Sequence, residues 1–336
     1  MRYSIILFVI LIIFSCKSEL KEKVKRINGV SLVASRAPVS PEQAIAVKNI
    51  NANYAALMPF GFVKELDHPE IIFNKEKQWF GETEAGVAQY AEVLDSIGIK
   101  AMLKPQLWIW KGEFTGDLSM RNEEHWKEFE TQYRSFILHY AAVAEKLNIP
   151  IFCIGTELNN FVSERSEFFE ILIKEIREIY HGELTYAENW DVYANVPFWK
   201  DLDYIGIDAY FPLSEDKTPS VKVLKEGWEK HKEQMEKLSK SIDKPVLFTE
   251  YGYRSMDYAA KAPWEHHRLE AVANHEIQIN ALSALYDTFW EESWFAGGFL
   301  WKWFPEETAG GEKNNRFTVQ NKPALKTVTS YYKKTK

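Results

Sequence analysis

Lys244-Pro-Val-Leu-Phe-Thr-Glu250-Tyr-Gly-Tyr-Arg-Ser255 is the stretch on which the fold turns. A Lys-Pro entry leads into the apolar run Val246-Leu247-Phe248, the run ends at a carboxylate, and Gly252 follows two residues later. A short apolar run bounded by Pro and Gly reads as a buried parallel strand. Ile149-Pro-Ile-Phe-Cys-Ile-Gly-Thr-Glu157-Leu-Asn-Asn160 repeats the design. In a barrel of alternating strands and helices, residues at the C-terminal ends of strands face a common mouth. Glu157 and Glu250 both sit at such ends.

Working outward, the same alternation recurs. Strands are expected over residues 28–36, 52–58, 100–107, around Glu157, over 184–186 and 204–207, around Glu250, and over 295–303. Helices are expected over residues 41–50 (N-cap Ser40), 84–96 (cap Thr83, closed by Gly98) and 122–147. Others follow after Ser163 as cap, over 220–241, 269–290 and 323–332. Eight strand-helix units in 336 residues, with no composition break after residue 28, predict a single (β/α)8 barrel. A doubly wound open sheet would want a Gly-rich turn after the first strand, and Val30-Ser-Leu-Val-Ala-Ser-Arg36 has none. P-loop, His-Glu-x-x-His and Gly-x-Ser-x-Gly motifs are absent too.

The ends and the bulk composition set the context. Residues 1–15 read as a signal peptide: Arg2, then the apolar run Ile5 to Phe14, too short to span a bilayer. Phe14-Ser15-Cys16 resembles a bacterial lipobox, which implies lipidation of Cys16, a charged tether over 16–27, and a barrel over 28–336. The expectation is a monomer lipid-anchored in the cell envelope of a bacterium, facing the periplasm or the surface. Cys153, the other cysteine, then has no partner and reads as a buried inert thiol. The net charge of −7 argues against nucleic acid. No metal site or cofactor is signalled. The aromatic share is 15%, and Trp residues near strand ends suit the apolar faces of sugar rings.

Two carboxylates across one mouth are the equipment of glycoside hydrolysis. The pair comes with Lys104-Pro-Gln106-Leu-Trp108, Trp190, Asp208-Ala-Tyr210 and Trp301-Lys-Trp303. Together the set resembles glycoside hydrolase family 113, whose known members are β-1,4-mannanases. The resemblance runs from about Asn28 to the C-terminus. It implies that Glu157 on the fourth strand is the acid/base, that Glu250 on the seventh is the nucleophile, and that β-mannan is the substrate. It also implies that Trp301 floors the central sugar site. Most members of the wider clan have Asn before the acid/base; here it is Thr156, so Asn159 or Asn189 is the expected source of an amide. Tyr210 or Tyr253 is expected to hydrogen-bond the nucleophile, and Arg36 and Arg254 to keep it ionised. Lys104 and Gln106 are expected to bind sugar hydroxyls. Asp208 is expected either to orient a neighbour or to bind sugar, and Trp108, Trp110 and Trp190 to form outer platforms. His266-His267 reads as the start of a surface helix. A β-glucanase, an exo-β-mannosidase and a non-catalytic glycan binder remain alternatives on the same scaffold.

Overall fold

The computed structural model describes residues 26–265 and 272–335. The expected lipobox Cys16, the leader, most of the tether and the His266-His267 pair lie outside the described residues.

Eight parallel strands close into a barrel: β1 (Ile27–Leu32), β2 (Tyr54–Leu57), β4 (Lys100–Leu103), β6 (Ile151–Thr156), β7 (Glu183–Asn189), β8 (Ile205–Asp208), β9 (Val246–Tyr251) and β10 (Phe295–Trp303). Each pairs with its neighbours in chain order, and β10 closes on β1. Around them run α1 (Pro41–Asn49), α2 (Glu84–Ser96), α3 (Glu123–Lys146), α4 (Asn159–Glu164), α5 (Ser166–Ile179), α6 (Val221–Ile242), α7 (His275–Phe289) and α8 (Ala324–Lys334). The (β/α)8 expectation holds, with each expected strand matched by one barrel strand.

Side chains alternate in and out along each strand, so the barrel has two apolar layers. Inside, Ile27, Ala56, Met102, Ile151, Leu247 and Phe299 meet in one cluster. Outside, strand residues such as Phe248 pack on the helices; its ring lies 5.0 Å from Phe289 of α7 and 4.8 Å from Phe295 of the neighbouring β10. The helices supply apolar stripes at three- and four-residue spacing, as with the buried Trp126, Phe129, Tyr133, Phe136, Ile137 and Tyr140 of α3. Caps set their starts. Ser40 and Gln43 form a reciprocal capping box on α1, and Asn122 caps α3.

Four expectations need correction. The third strand is shorter than residues 100–107: it breaks at Lys104-Pro105, and Gln106–Ile109 (β5) leaves the barrel to pair with Phe60–Val63 (β3). Proline has no N–H to donate to a continuous ladder. Ser163 is not a cap; it lies inside α4, where its hydroxyl donates to Asn160 O. The chain breaks at Arg165, held there by Glu123 and Glu130, before α5 starts. The helix expected from residue 269 starts at His275, where Asn274 accepts from the N–H groups of Glu276 and Ile277. The first strand ends at Leu32, which leaves Arg36 exposed in the following loop.

Candidate active site

Both carboxylate strands carry one extra residue just before their Glu. On β9, Phe248 lies opposite Ile207 and Glu250 opposite Asp208, so two steps on β9 match one on β8. On β6, Cys153 pairs with Thr185 and Thr156 with Ala187, three steps against two. Such bulges re-aim a side chain at the end of a ladder. Glu157 then takes a left-handed backbone with φ 50°, rare for a residue with a Cβ. Its N–H donates to Ala187 O at 2.8 Å, and the next N–H, that of Leu158, to Tyr186 Oη at 2.8 Å. Gly155 makes room for this: a Cβ there would lie 2.6 Å from Tyr133 Oη and 2.9 Å from the Tyr186 ring.

Glu250 is gripped by three donors that follow the ends of two barrel strands, β4 and β8. Lys104 Nζ donates to its Oε1 at 2.6 Å, Gln106 Nε2 to the same oxygen at 3.2 Å, and Tyr210 Oη to Oε2 at 2.8 Å. Each of these contacts uses Glu250 as acceptor, the role of an ionised carboxylate. Lys104 also reaches both Asp208 oxygens at 3.3 Å, and Thr249 Oγ1 donates to Asp208 Oδ1 at 2.7 Å. Lys104, Thr249 and Asp208 have no exposed surface. Burial by itself would lower the Lys104 ammonium, yet Asp208 and Glu250 outweigh it and raise it above the usual lysine range. Burial, then the charge of Glu250, pushes Asp208 up to about 7 against the pull of Lys104. Glu157 is raised well above the carboxylate range, first by burial and then by Asp208 and Glu250.

The two Glu residues share a cleft of 420 Å³. Trp301 and Lys302 of β10 line it together with Phe60, Trp79, Glu82, Trp108, Glu113, Phe114 and Thr156. Trp79, Trp108 and Phe114 are each more than two-fifths exposed and form an aromatic shelf. Lys302 Nζ sits 5.1 Å from the Trp301 ring centre. A larger hollow of 780 Å³ opens at the opposite end of the barrel, among Tyr54, Lys100, Glu183 and Lys244. Barrel enzymes of this fold work at the C-terminal face, where the carboxylate pair is.

The structure brings Glu157, Glu250, Lys104, Gln106, Asp208, Tyr210, Trp108 and Trp301 to this cleft or directly beneath it. Lys104 is not placed to bind sugar hydroxyls, since its whole side chain is buried beneath Glu250. Asp208 is likewise buried, so of its two expected roles only the orienting one is open. Of the two tyrosines, Tyr210 reaches Glu250, whereas Tyr253 is buried with its hydroxyl unpartnered. The cation touching Glu250 is Lys104: Arg36 lies exposed over the Trp79 ring at 5.0 Å, and Arg254 is buried over Phe317 at 5.2 Å. Asn159 and Asn189 fall outside the cleft lining: the first donates weakly to Asn160, and the second accepts from the Trp190 N–H. Trp190 stacks on Trp264 at 5.0 Å and borders a separate hollow with Phe211 and His231. Trp110 is 45% exposed but does not line the cleft. Cys153 is free and buried, and burial pushes its thiol up to about 11. No group of three or more His, Cys, Asp or Glu side chains among the described residues is arranged to hold a metal ion.

Sequence reasoning missed the Trp79 and Phe114 shelf, Lys302, and the buried Glu188 after Tyr186. Trp79 and Phe114 lay in stretches read as plain loop, and only their size in a polar setting hinted at a surface role.

Residues 36–322 match the family model described as Glycoside Hydrolase Family 113. No curated protein matches the chain. Among solved structures, a GH113 β-1,4-mannanase in complex superposes with TM-score 0.79 at 23% identity, covering 92% of this chain and 99% of its own. A second structure of a GH113 β-1,4-mannanase gives 0.79 at 24% identity, with 92% and 99% covered. The GH113 β-mannanase AaManA from Alicyclobacillus acidocaldarius, in complex with ManMIm, gives 0.81 at 21% identity, with 93% and 98% covered. At such identities these superpositions speak to the fold.

Proposed function

The chain belongs to glycoside hydrolase family 113, and from that premise we propose that this glycoside hydrolase cleaves β-1,4-linked mannan with retention of configuration. Glu250 attacks the anomeric carbon and forms a glycosyl ester. Glu157 protonates the departing glycosidic oxygen, then takes a proton from the water that hydrolyses the ester. Retaining enzymes hold the two carboxyl groups about 5–5.5 Å apart, so that the second can act as nucleophile.

The observation that carries this reading is the division of labour between the carboxylates. Glu157, Asp208 and Glu250 crowd around a single buried ammonium, that of Lys104. One positive charge cannot balance three negative ones in a buried site, so a proton stays on the cluster. Lys104 lies on Glu250 and Asp208. Glu157 lacks that contact and is raised well above its ordinary range, while Asp208, which has it, is raised to about 7. Pairs of carboxyl groups whose surroundings drive them apart mark an acid and a nucleophile. Gln106 and Tyr210, one on each oxygen, fix the orientation of the attacking carboxylate, and Asp208, itself held by Thr249, fixes Lys104. The open shelf of Trp79, Trp108 and Phe114 suits a chain lying across the mouth, and hence endo action.

Product analysis tests this with mannohexaose and cellohexaose in separate incubations. Short manno-oligosaccharides from the first alone are expected. Mannose alone would make the enzyme exo-acting, and products from cellohexaose alone would make it a glucanase. The apolar leader and Cys16 support anchoring in a bacterial envelope, with the barrel acting as a monomer. Palmitate labelling of the full chain that is lost in Cys16→Ser is the expected sign of that anchor.

A further inference from the structure

A further buried carboxylate acts on the acid/base candidate and has no part in the mechanism above. Glu188, near the end of β7, is 1% exposed, yet both its oxygens are engaged. Oε1 accepts from the Asn189 N–H at 2.8 Å, and Oε2 from Tyr186 Oη at 3.1 Å. The same Tyr186 hydroxyl accepts the Leu158 N–H at 2.8 Å. With the bond from Glu157 N–H to Ala187 O, Tyr186 and Ala187 of β7 hold the two residues that follow the bulge of β6, and Glu188 holds Tyr186. That end includes the left-handed Glu157, a conformation that costs an L-residue roughly 1–2 kcal/mol and so needs a fixed surround.

We propose that Glu188 is a positioning residue for Glu157, acting through the Tyr186 hydroxyl on the Leu158 N–H and through its own charge on the Glu157 carboxyl. The inference rests on reading Glu157 as the acid/base. An ionised Glu188 orients the Tyr186 O–H toward itself, which leaves the hydroxyl lone pairs free for Leu158. Its negative charge adds to those of Asp208 and Glu250 in keeping the proton on Glu157, against Lys104. Burial raises Glu188 itself to about 7, so its charge grows in as the pH rises through neutrality.

The test uses full-length protein carrying glutamate labelled with carbon-13 at the side-chain carboxyl, titrated by NMR. The Glu157 signal is assigned by its loss in Glu157→Gln. In Glu188→Gln the Glu157 midpoint is expected to fall by about half a pH unit or more, the scale of a removed neighbouring charge. The alkaline limb of kcat/KM on mannohexaose should move down with it. Tyr186→Phe keeps the carboxylate and cuts the link to Leu158; kcat is expected to drop about tenfold or more with KM unchanged. A Glu157 midpoint unmoved in Glu188→Gln, together with wild-type kcat in Tyr186→Phe, overturns the inference. Wild-type hydrolysis by Glu157→Gln instead sinks the acid/base reading, while the NMR midpoint still reports whether Glu188 acts on Glu157.

Discussion

At the scale of single residues, Lys104 is where fold and chemistry meet. A lysine with no exposed surface is costly unless it is paired, and this one holds Glu250 at 2.6 Å and Asp208 at 3.3 Å. Its sequence setting, an apolar run ending in Lys-Pro, announced a site role but not its direction: the ammonium points down at carboxylates rather than up at sugar. Lys104→Met leaves two buried carboxylates facing each other. Chemical denaturation should show a loss of about 3–5 kcal/mol, the range for breaking a buried pair from one side. Activity should fall at least about a hundredfold. Glu188 gives the opposite sign. Its folded value, about 7, lies above the ordinary 4.5, so the native state binds its proton more tightly than the unfolded chain does. Its ionisation therefore opposes folding, increasingly from about pH 4.5 to 7 and fully above that window. Gln cannot ionise. Measured against wild type, the stability of Glu188→Gln should rise across that window by on the order of 3 kcal/mol. A difference that stays flat with pH would contradict the assignment.

At the scale of elements, the decisive features are the extra residues that end β6 and β9. The apolar runs and terminal carboxylates of these strands were legible in sequence, because burial on both faces demands such runs. The bulges were not, since a register shift exists only between paired strands. The β3–β5 ribbon escaped notice for a related reason: Phe60–Val63 and Gln106–Ile109 are four residues each, too short for periodicity to separate from loop. That ribbon carries part of the aromatic shelf. Trp108 is 49% exposed, so Trp108→Ala removes little packing from the fold. The expected result is a KM for mannohexaose raised about tenfold, which is about 1.4 kcal/mol of binding. Stability should stay within about 0.5 kcal/mol of wild type. A large loss of stability with unchanged KM would make the shelf a structural feature.

At the scale of the whole molecule, the alternation of apolar runs and amphipathic helices was enough to count eight units, because each parallel strand needs a crossover helix. What the sequence could not show is how the ring is closed. Asn28 on β1 accepts from Trp290 Nε1 at 2.9 Å and donates to Tyr332 O at 3.2 Å. Tyr332 Oη in turn donates to Gly29 O at 2.7 Å and shares a 2.6 Å hydrogen bond with Tyr251. The first strand, the last helix and the strand of Glu250 are thus tied by buried polar contacts, those between β1 and α8 joining residues 303 and 304 positions apart. Asn28→Ala orphans the Trp290 N–H and loosens α8. A loss of about 1–3 kcal/mol in urea denaturation is expected, with kcat unchanged. The closed ring exists to hold two carboxylates across one mouth, and trapping the ester tests that claim most directly. The protein would be incubated with 2-deoxy-2-fluoro-β-mannobiosyl fluoride, digested, and its peptides read by mass spectrometry. The account predicts one glycosyl adduct, on Glu250, absent in Glu250→Gln. An adduct on another residue, or none from an enzyme that turns over mannohexaose, would contradict it.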